Sequence, residues 1–381
     1  MRSTAERPYD TNAASSGRRD AASRVAACDV IDLRSDFLAH GTAEMSEAWA
    51  RAAREPYHFG LREDPYQAAL ERRVAEMTAH EDALVFPTCT MANLVGIMLG
   101  APPGTRALTH EDAHVITSEA GGAAAFAGVQ LVPLAGDPRN GAAEQWRDAA
   151  ADGDAQKPAT SLFVLENTHN RAGGLPLSAS YTTAVLAIAR ERGIRTHLDG
   201  SRLFHAAAAF GTTIAPLAQG FDTVSLSLNK GFGAPLAAVL AGSRENIARA
   251  LILRQRLGGG IRPTGPPAAA TLTALDDLAH FTDVQRLARR LAEGLASLPG
   301  VRIDLPTPAT NIVVVELTGD RPSAIDAQTR FAERGLLALP FGAARLRLVT
   351  YRGLTEAQID RAIAIAAEAL APRMKRNGND G

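Results

Sequence analysis

Lysine is rare in this chain, and one lysine lies where an unpaired and unreacted amine would be costly to bury. Of the 40 basic residues, only Lys157, Lys230 and Lys375 are lysines. Lys157 lies in a polar loop and Lys375 near the polar C-terminus, whereas Lys230 ends an apolar run and enters a glycine-rich turn. A lysine in such a place is costly to bury unless it is paired, neutralised or covalently used. Lysine-dependent chemistry therefore points to Lys230.

A carboxylate ends an earlier apolar run and could serve the same chemistry. Asp199 stands 31 residues before Lys230 and is followed by Gly200. Open α/β sheets place ligand contacts at the carboxyl ends of their strands. A carboxylate beneath a pyridine nitrogen and a strand-end lysine that forms a Schiff base are what pyridoxal phosphate requires. The alternative is a structural Asp199 that caps a helix starting near Arg202.

The remaining contacts of such a cofactor can be sought from its chemistry. Its phosphate needs backbone N–H groups at a helix start and nearby hydroxyls, and residues 87–93 follow a strand and open an apolar helix. An ordinary helix N-cap in residues 87–93 is compatible with this interpretation. His114 is a planar candidate for the ring face. A substrate carboxylate favours arginine forks, for which the candidates are Arg202, Arg262 and Arg347.

Residues 110–114, His-Glu-Asp-Ala-His, match the H-E-x-x-H pattern, in which two histidines on one helical face bind zinc. Prolines and glycines on both sides leave little room for the long helix that this pattern needs. The flanks 107–109 and 115–117 favour extended structure, and no third ligand is evident. We therefore expect no metal site, and a zinc hydrolase that uses His110 and His114 stays an alternative for a metal assay.

Composition excludes several other classes of protein. With 46% hydrophobic residues, 21% charged residues and a formal net charge of −1, the chain lacks the basic surface that nucleic acid requires. Cys28 and Cys89 lie 61 positions apart, which rules out a disulfide framework and a cysteine-only zinc site. No apolar run approaches the ~20 residues that span a bilayer, and no secretory signal is recognisable. We expect a cytoplasmic protein with a small-molecule substrate, and neither nucleic acid nor membrane as a partner.

The spacing of apolar residues predicts two domains between polar ends. Residues 1–28 predict a disordered N-terminal tail and residues 373–381 a C-terminal tail. Strand-length runs alternate with helical periods through residues 29–271, which favours an α/β fold with a mostly parallel sheet. Residues 272–372 predict a small α+β domain. The predicted strands are 82–87, 161–166, 223–228, 236–242, 310–317 and 345–350, and the predicted helices are 66–78, 182–191, 272–297, 323–334 and one that begins at the cap Thr355.

Several segments of the chain form one recognisable set. They are IDLRSD (31–36), EDAH (111–114) with EAGG (119–122), ENTHN (166–170), LDGSR (198–202), KGFG (230–233), GGGIR (258–262) and RLVT (347–350). Together, and in family order from about residue 31 to residue 370, they resemble the threonine aldolase family. The resemblance implies a fold-type-I, pyridoxal phosphate-dependent transferase-like fold, assembled as a homodimer or homotetramer with shared active sites. It also implies a lyase that cleaves an L-β-hydroxy-α-amino acid to glycine and an aldehyde.

By position, the resemblance assigns cofactor roles to the candidate residues. Lys230 would form the Schiff base, Asp199 would keep the pyridine nitrogen protonated, and His114 would stack on the ring. The other cofactor contacts that it implies are Cys89 and Thr90 at the phosphate, Arg202, and Arg262 from the neighbouring subunit.

The resemblance also assigns substrate contacts. Ser35, Arg202 and Arg347 would bind the substrate carboxylate. His114 is a candidate for the base that removes the β-hydroxyl proton, although the sequence does not identify that base.

The chain departs from the family pattern near the expected substrate. Phe37 and the segment 57–65, about two residues longer than usual and containing Tyr57, His58 and Phe59, replace the family residues there. Asn229 replaces the serine before the lysine, Cys89 the glycine of the phosphate turn, and Gln255 a common basic residue. A more apolar pocket predicts a substrate bulkier than threonine.

Other functions stay open beside aldol cleavage. One alternative is a pyridoxal phosphate-dependent β-eliminating lyase or transaldolase that acts on a related β-substituted amino acid. Product analysis separates them, since only cleavage yields glycine plus an aldehyde. A non-catalytic relative is disfavoured because Lys230, Asp199 and Arg202 are all present.

Overall fold

The structure is a computed structural model that describes residues 30–136, 138, 142–236, 238–303 and 310–371, so the predicted tails 1–28 and 373–381 lie outside it. Its strands are β1 (Ile31–Asp32), β2 (Asp82–Phe86), β3 (Arg106–His110), β4 (Gln130–Leu134), β5 (Thr160–Glu166), β6 (Arg195–Gly200), β7 (Thr223–Ser227), β8 (Ala238–Gly242), β9 (Val301–Arg302), β10 (Ile312–Leu317), β11 (Leu336–Leu337), β12 (Leu339–Pro340) and β13 (Arg345–Val349). Its α-helices are α1 (Ala43–Ala52), α2 (Pro65–Thr78), α3 (Cys89–Gly100), α4 (His114–Thr117), α5 (Glu144–Ala149), α6 (Ala179–Glu191), α7 (Leu203–Phe210), α8 (Ala215–Ala218), α9 (Arg244–Arg256), α10 (Gly265–Ala274), α11 (His280–Ala296), α12 (Ala324–Ala332) and α13 (Glu356–Leu370).

Seven strands form one sheet in the order β2-β8-β7-β6-β5-β3-β4. β8 runs antiparallel to both of its neighbours, and the other pairs are parallel. Strands β5, β7 and β8 are buried along nearly their whole length. β5 and β8 therefore read as apolar runs, whereas β7 alternates buried hydroxyl residues with Val224 and Leu226. The predicted α/β fold with a mostly parallel sheet is confirmed.

Local signals in the sequence set the helix starts. Asp64 accepts two backbone N–H groups at the start of α2, Ser178 caps α6, and Thr355 forms a capping box at α13. The helices predicted over 66–78 and 182–191, and the start at Thr355, are confirmed. Among the described helices, none is long and apolar enough to cross a membrane.

The helix predicted over residues 272–297 is confirmed over 280–296, but it does not run unbroken from residue 272. The segment contains the end of α10, a turn, and then α11. In the turn, the Asp277 backbone oxygen lies 2.7 Å from His280 Nδ1, and the Asp277 carboxylate accepts a hydrogen bond from Arg352. The apolar period runs on through the turn and does not mark the break, which is held by a local contact with His280 and by one with the distant Arg352. The domain boundary predicted between 271 and 272 falls inside α10 and stays a prediction.

A second, four-stranded antiparallel sheet has the order β12-β13-β10-β9 and packs with α11, α12 and α13. β1 pairs in parallel with β11, so Ile31 and Leu33 join the apolar core of this C-terminal region rather than that of the seven-stranded sheet. Leu33 then accepts a backbone hydrogen bond from Val349, and Asp36 accepts one from Gly231. Residues 33–36 therefore pass between the two sheets.

Polar residues from three neighbouring strands lie side by side near the carboxyl edge of the large sheet. Glu166 on β5 is paired with Asp199 on β6, and Asp199 is paired with Ser225 on β7. This edge is where α/β folds bind their ligands. The search for the site therefore begins here.

Candidate active site

Lys230 lies in the turn after β7, at the carboxyl edge of the large sheet. Gly231 and Gly233 have φ angles of 80° and 72°, a region that glycine adopts without strain. The backbone N–H of Gly231 donates to the Asp36 backbone oxygen at 2.9 Å. Lys230 is only 7% exposed, and its Nζ lies 5.4 Å from the centre of the Phe37 ring. The turn therefore holds a buried amine against the ring that the sequence placed near the substrate.

Asp199 lies buried on β6 and is held by neutral donors. Asn93 Nδ2 donates to its Oδ2 at 2.8 Å, and the Ser201 hydroxyl and backbone N–H donate to its Oδ1 at 2.6 and 3.0 Å. Burial alone would raise the pKa of Asp199, but the charges of His114 and Lys230 and the bonds from Ser201 lower it. Because α7 has no side-chain N-cap, the alternative that Asp199 caps this helix is not supported.

His114 begins α4 and joins the same group of residues. Its backbone N–H donates to Glu166 Oε2 at 2.8 Å, and its Nδ1 lies 2.9 Å from Glu119 Oε1. Burial would lower the pKa of His114, but the hydrogen bond with Glu119 and the charge of Asp199 raise it. The half-buried imidazole therefore takes up a proton more readily than it would in water.

Cys89 and Thr90 open α3, as the sequence predicts for a phosphate site. The Thr88 hydroxyl accepts the Met91 N–H, which leaves the first N–H groups of a twelve-residue helix and its positive dipole end for an anion. Cys89 Sγ lies 3.1 Å from the Ser201 hydroxyl, and burial raises the pKa of this thiol to about 12. Cys89 is therefore a neutral side chain that lies next to the residue holding Asp199.

Arg202 is engaged more tightly than the sequence suggests. Its Nε and Nη2 donate to the two carboxylate oxygens of Asp36 at 2.7 and 2.9 Å, and both residues are buried. Asn311, from the segment before β10, also donates to Asp36 at 3.1 Å. The pair leaves Nη1 and the second N–H of Nη2 for a cofactor or substrate, so Arg202 can bind either group through fewer donors than a free guanidinium offers.

Arg347, on β13, reaches the site from the second sheet. Its Nη1 donates to Asn170 Oδ1 at 2.9 Å and its Nη2 to the Arg34 backbone oxygen at 3.0 Å, while its buried Nε has no partner among the described residues. Burial, together with the charges of Arg202 and Arg171, lowers the pKa of Arg347 to about 10. An anion beside Arg347 would relieve that repulsion.

Two predicted residues lie at the periphery of this group. The Ser35 hydroxyl accepts the Phe37 backbone N–H at 3.2 Å at the start of a 3-10 turn. Arg262 is exposed, and its guanidinium carbon lies 5.1 Å from the ring centre of Phe59, itself 84% exposed. Arg262 is therefore on the outer surface of this chain.

The His-Glu-Asp-Ala-His segment does not form the helix of a zinc peptidase. His110 ends β3 and His114 begins α4, so the two lie on different elements. His110 Nε2 lies 3.2 Å from the Tyr181 hydroxyl, away from Glu119. The extended structure predicted for 107–109 is confirmed, but that predicted for 115–117 is wrong, because these residues form one helical turn.

The sequence interpretation missed residues that hold the predicted ones. Asn93 and Glu119 link His114 to Asp199, Glu166 anchors the backbone of His114, and Asp36 binds Arg202. All four residues lie within segments that the sequence analysis names, so their presence near the site could be predicted. Their hydrogen-bond partners could not be predicted, because no spacing rule in the sequence identifies such side-chain contacts.

The chemistry of this group fits pyridoxal phosphate. Lys230 offers an amine for an aldehyde, and the N-terminus of α3 suits a phosphate. Asp199 receives its hydrogen bonds from neutral donors, so a protonated ring nitrogen would complement its charge. Among the described residues, no cationic side chain donates a hydrogen bond to Asp199. The carboxylate is therefore suited to a cationic partner from outside the chain.

Comparison with known proteins decides the family. The family described as beta-eliminating lyase matches residues 32–318. The chain belongs to the beta-eliminating lyase family. This lyase is 32% identical over 346 residues to "Low-specificity L-threonine aldolase 1" of Arabidopsis thaliana, covering 89% of this chain and 96% of that one. The threonine aldolase resemblance is confirmed.

Solved structures confirm the fold of this lyase. The threonine aldolase of Leishmania major aligns with a TM-score of 0.76 at 20% identity, over 89% of this chain and 99% of that one. A structure of SPT with pyridoxal phosphate aligns with a TM-score of 0.70 at 20% identity, over 89% of this chain and 87% of that one. The predicted fold-type-I architecture is confirmed, and the enzyme is a pyridoxal phosphate-dependent lyase of the threonine aldolase type.

Proposed function

We propose that this lyase cleaves L-β-hydroxy-α-amino acids of the threonine class, with room for a bulkier β-substituent, to glycine and an aldehyde. The buried Lys230, whose charge acts on the ionised Asp199, is the observation that carries the proposal. This pair suits a carbonyl cofactor that weakens bonds to the amino acid α-carbon. The similarity to a relative named L-threonine aldolase, over most of both chains, supports the substrate class.

In this proposal, residues of the large sheet hold the cofactor. Lys230 would hold its aldehyde carbon, Asp199 its ring nitrogen and His114 its ring face. Cys89 and Thr90 bind its phosphate with the first N–H groups of α3. When bound, the cofactor supplies an electron-withdrawing ring that accepts the electron pair released on cleavage.

Arg347 is proposed as the principal partner of the substrate carboxylate. Its unpartnered Nε is buried, and its positive charge lies near those of Arg202 and Arg171. Arg202, held by Asp36, adds charge and the N–H groups that Asp36 does not use, and Ser35 adds a hydroxyl. Binding the carboxylate between two sheets would orient the Cα–Cβ bond for cleavage.

His114 is proposed to move the proton of the β-hydroxyl. Glu119 engages its Nδ1, so the proton would be taken up at Nε2. The raised pKa of His114 makes the neutral ring a stronger base than free imidazole. The electron pair that remains on the oxygen can then form the aldehyde.

We also propose a cytoplasmic homodimer or homotetramer with shared active sites. Arg262 is exposed, and so is the Phe59 ring that it covers. These surfaces would gain contacts from a second chain, where Arg262 would reach the neighbouring cofactor.

β-Elimination or a transaldolase-type exchange is the second candidate, and the description of the family as beta-eliminating lyase favours keeping it. Elimination would lose the β-substituent and yield a keto acid with ammonia. It would not yield glycine. Exchange would need an acceptor aldehyde beside the amino acid.

The deciding experiment incubates the purified, pyridoxal phosphate-loaded enzyme with a panel of β-hydroxy amino acids and assays glycine and aldehyde. Equal amounts of both are expected. Borohydride reduction and peptide mapping should place the pyridoxyl group on Lys230, with Lys157→Ala as a control that keeps activity and Lys230→Ala as one that loses it. Keto acid without glycine would favour elimination, and a label on Lys157 would overturn the assignment of the lysine.

A further inference from the structure

Asn93 lies one turn into α3, where this helix packs against β6 and β7. Its side chain is 1% exposed and uses every hydrogen-bonding position that an amide offers. Nδ2 donates to Glu119 Oε1 and to Asp199 Oδ2, both at 2.8 Å. Oδ1 accepts from the Ser225 hydroxyl at 2.5 Å and lies 3.2 Å from His197 Nε2.

The surroundings allow this amide only one orientation. Ionised carboxylates accept hydrogen bonds and cannot donate them, so Nδ2 must face Glu119 and Asp199. On the other side, burial lowers the pKa of His197 to about 4, and the neutral ring can donate its Nε2–H to Asn93 Oδ1. A reversed amide would point its oxygen at two carboxylates.

Asp199 and Glu119, two carboxylates with different proposed roles, both accept a hydrogen bond from Asn93 Nδ2. Asp199 is the proposed partner of the cofactor ring nitrogen, and Glu119 holds Nδ1 of His114, the proposed partner of the ring face. Their oxygens lie close enough that atoms of His114, Glu119 and Asp199 all fall within 4.8 Å of one another. Two like charges this close repel, and the two Nδ2 hydrogens lie between them.

We propose that Asn93 is a positioning residue. From its place on α3, it holds Asp199 directly and His114 through Glu119. The inference rests on the proposed roles of His114 and Asp199. Asn93 does not touch the reacting atoms. It acts by setting where the carboxylate and the imidazole stand relative to each other.

The test compares Asn93→Ala and Asn93→Asp with wild type in the full-length protein. Asn246→Ala is the matched control, because Asn246 is also buried and its Nδ2 donates to the Asp222 backbone oxygen, outside the site. The dissociation constant for pyridoxal phosphate should rise about tenfold or more in Asn93→Ala, since two buried carboxylates lose a donor. Asn93→Asp should bind more weakly still, because it adds a third carboxylate, whereas Asn246→Ala should stay within about twofold.

A second readout distinguishes positioning from packing. The pKa of His114, measured by NMR in the loaded protein, should fall in Asn93→Ala, because Glu119 is no longer held in place and its hydrogen bond with Nδ1, which raises this pKa, weakens. The other charged groups that face His114, namely Asp199, Lys230 and Glu166, are kept in this variant. An unchanged His114 pKa with wild-type cofactor affinity would overturn the proposal.

Two features keep the test decisive. If Asn93→Ala does not fold, Asn93→Asp, which has nearly the same volume, decides alone, and wild-type affinity in it overturns the proposal. Neither readout needs substrate turnover. A wild-type enzyme that binds the cofactor but releases no glycine would contradict the proposed reaction without contradicting the proposed role of Asn93.

Discussion

The floor of the site, defined as Asp199, Asn93, Glu119 and His114, differs sharply from its mouth, defined as Phe37, Tyr57, Phe59 and Arg262. Asp199 and Asn93 are each 1% exposed and bonded within the chain, whereas Phe37 is 56% and Phe59 84% exposed. The mouth also carries the departures from the family pattern at Phe37, Tyr57 and Phe59. The floor is therefore held together within one chain, and the mouth is an exposed surface that can vary or be completed by a second chain.

Asp199→Asn tests the floor and has the largest expected effect. An amide cannot hold the ring nitrogen protonated, so activity should fall by about two orders of magnitude or more while the fold stays intact. Steady-state kinetics with circular dichroism measure both quantities. Activity within about threefold of wild type, which is under 1 kcal/mol, would return Asp199 to a structural role.

Asp36→Asn tests the link between the two sheets. Burial would raise the pKa of Asp36, but Arg202 and Lys230 hold it well below its usual value. The pair thus adds stability above the ordinary carboxyl pKa of about 4, and this contribution is lost as pH falls through the lower folded-state pKa. At pH 7 the variant leaves Arg202 buried without its partner and should lose about 3–5 kcal/mol.

Denaturant unfolding of wild type and Asp36→Asn at several pH values measures this effect. The difference should stay constant from pH 7 to about pH 4 and shrink below that. The control is Asp283→Asn, since Asp283 pairs with Arg286 at 3.8 Å on the exposed surface, where such pairs contribute little. Equal decreases in the free energy of unfolding of the two variants would show that the buried Asp36–Arg202 pair stabilises the fold no more than the exposed pair does.

Mixing two inactive variants tests whether a second chain completes the mouth. If Arg262 acts across an interface, Arg262→Ala and Lys230→Ala subunits should form mixed assemblies with one intact site. Random pairing in a dimer would restore about a quarter of wild-type activity. Native mass spectrometry should confirm the exchange. Verified exchange without any recovered activity would place Arg262 within its own subunit.

Substrate choice at the mouth has the smallest expected effect. Phe37 and its neighbours should favour aryl or long-chain β-hydroxy amino acids, so kcat/KM for phenylserine should exceed that for threonine. Phe37→Ala removes apolar area worth ~25 cal/mol per Å² and should reduce this preference by about tenfold at most. Phe210→Ala, at an exposed phenylalanine on α7, is the control. Faster turnover of threonine, with Phe59→Ala reversing the order, would mean that the aromatics fill the pocket.

Part of the site could be predicted because its signals are local. Lys230 stands out as the one lysine at a strand end, Asp199 ends a buried strand, and residues 87–93 join a strand to a helix. Parallel strands bring such ends to one edge of the sheet. The sequence predicts less about the mouth, because neither an apolar period nor burial constrains exposed residues such as Phe59.

The sequence by itself determined the α/β class, the starts of helices such as α2, and the identity of the lysine, because each depends on neighbours a few residues away. The tertiary structure alone decided that Asp36 would bind Arg202, 166 residues away, and that Asn93 would join Glu119 to Asp199. It also decided the break before α11. Such contacts depend on how finished elements pack, and a hydrogen bond between distant side chains has no period in the sequence.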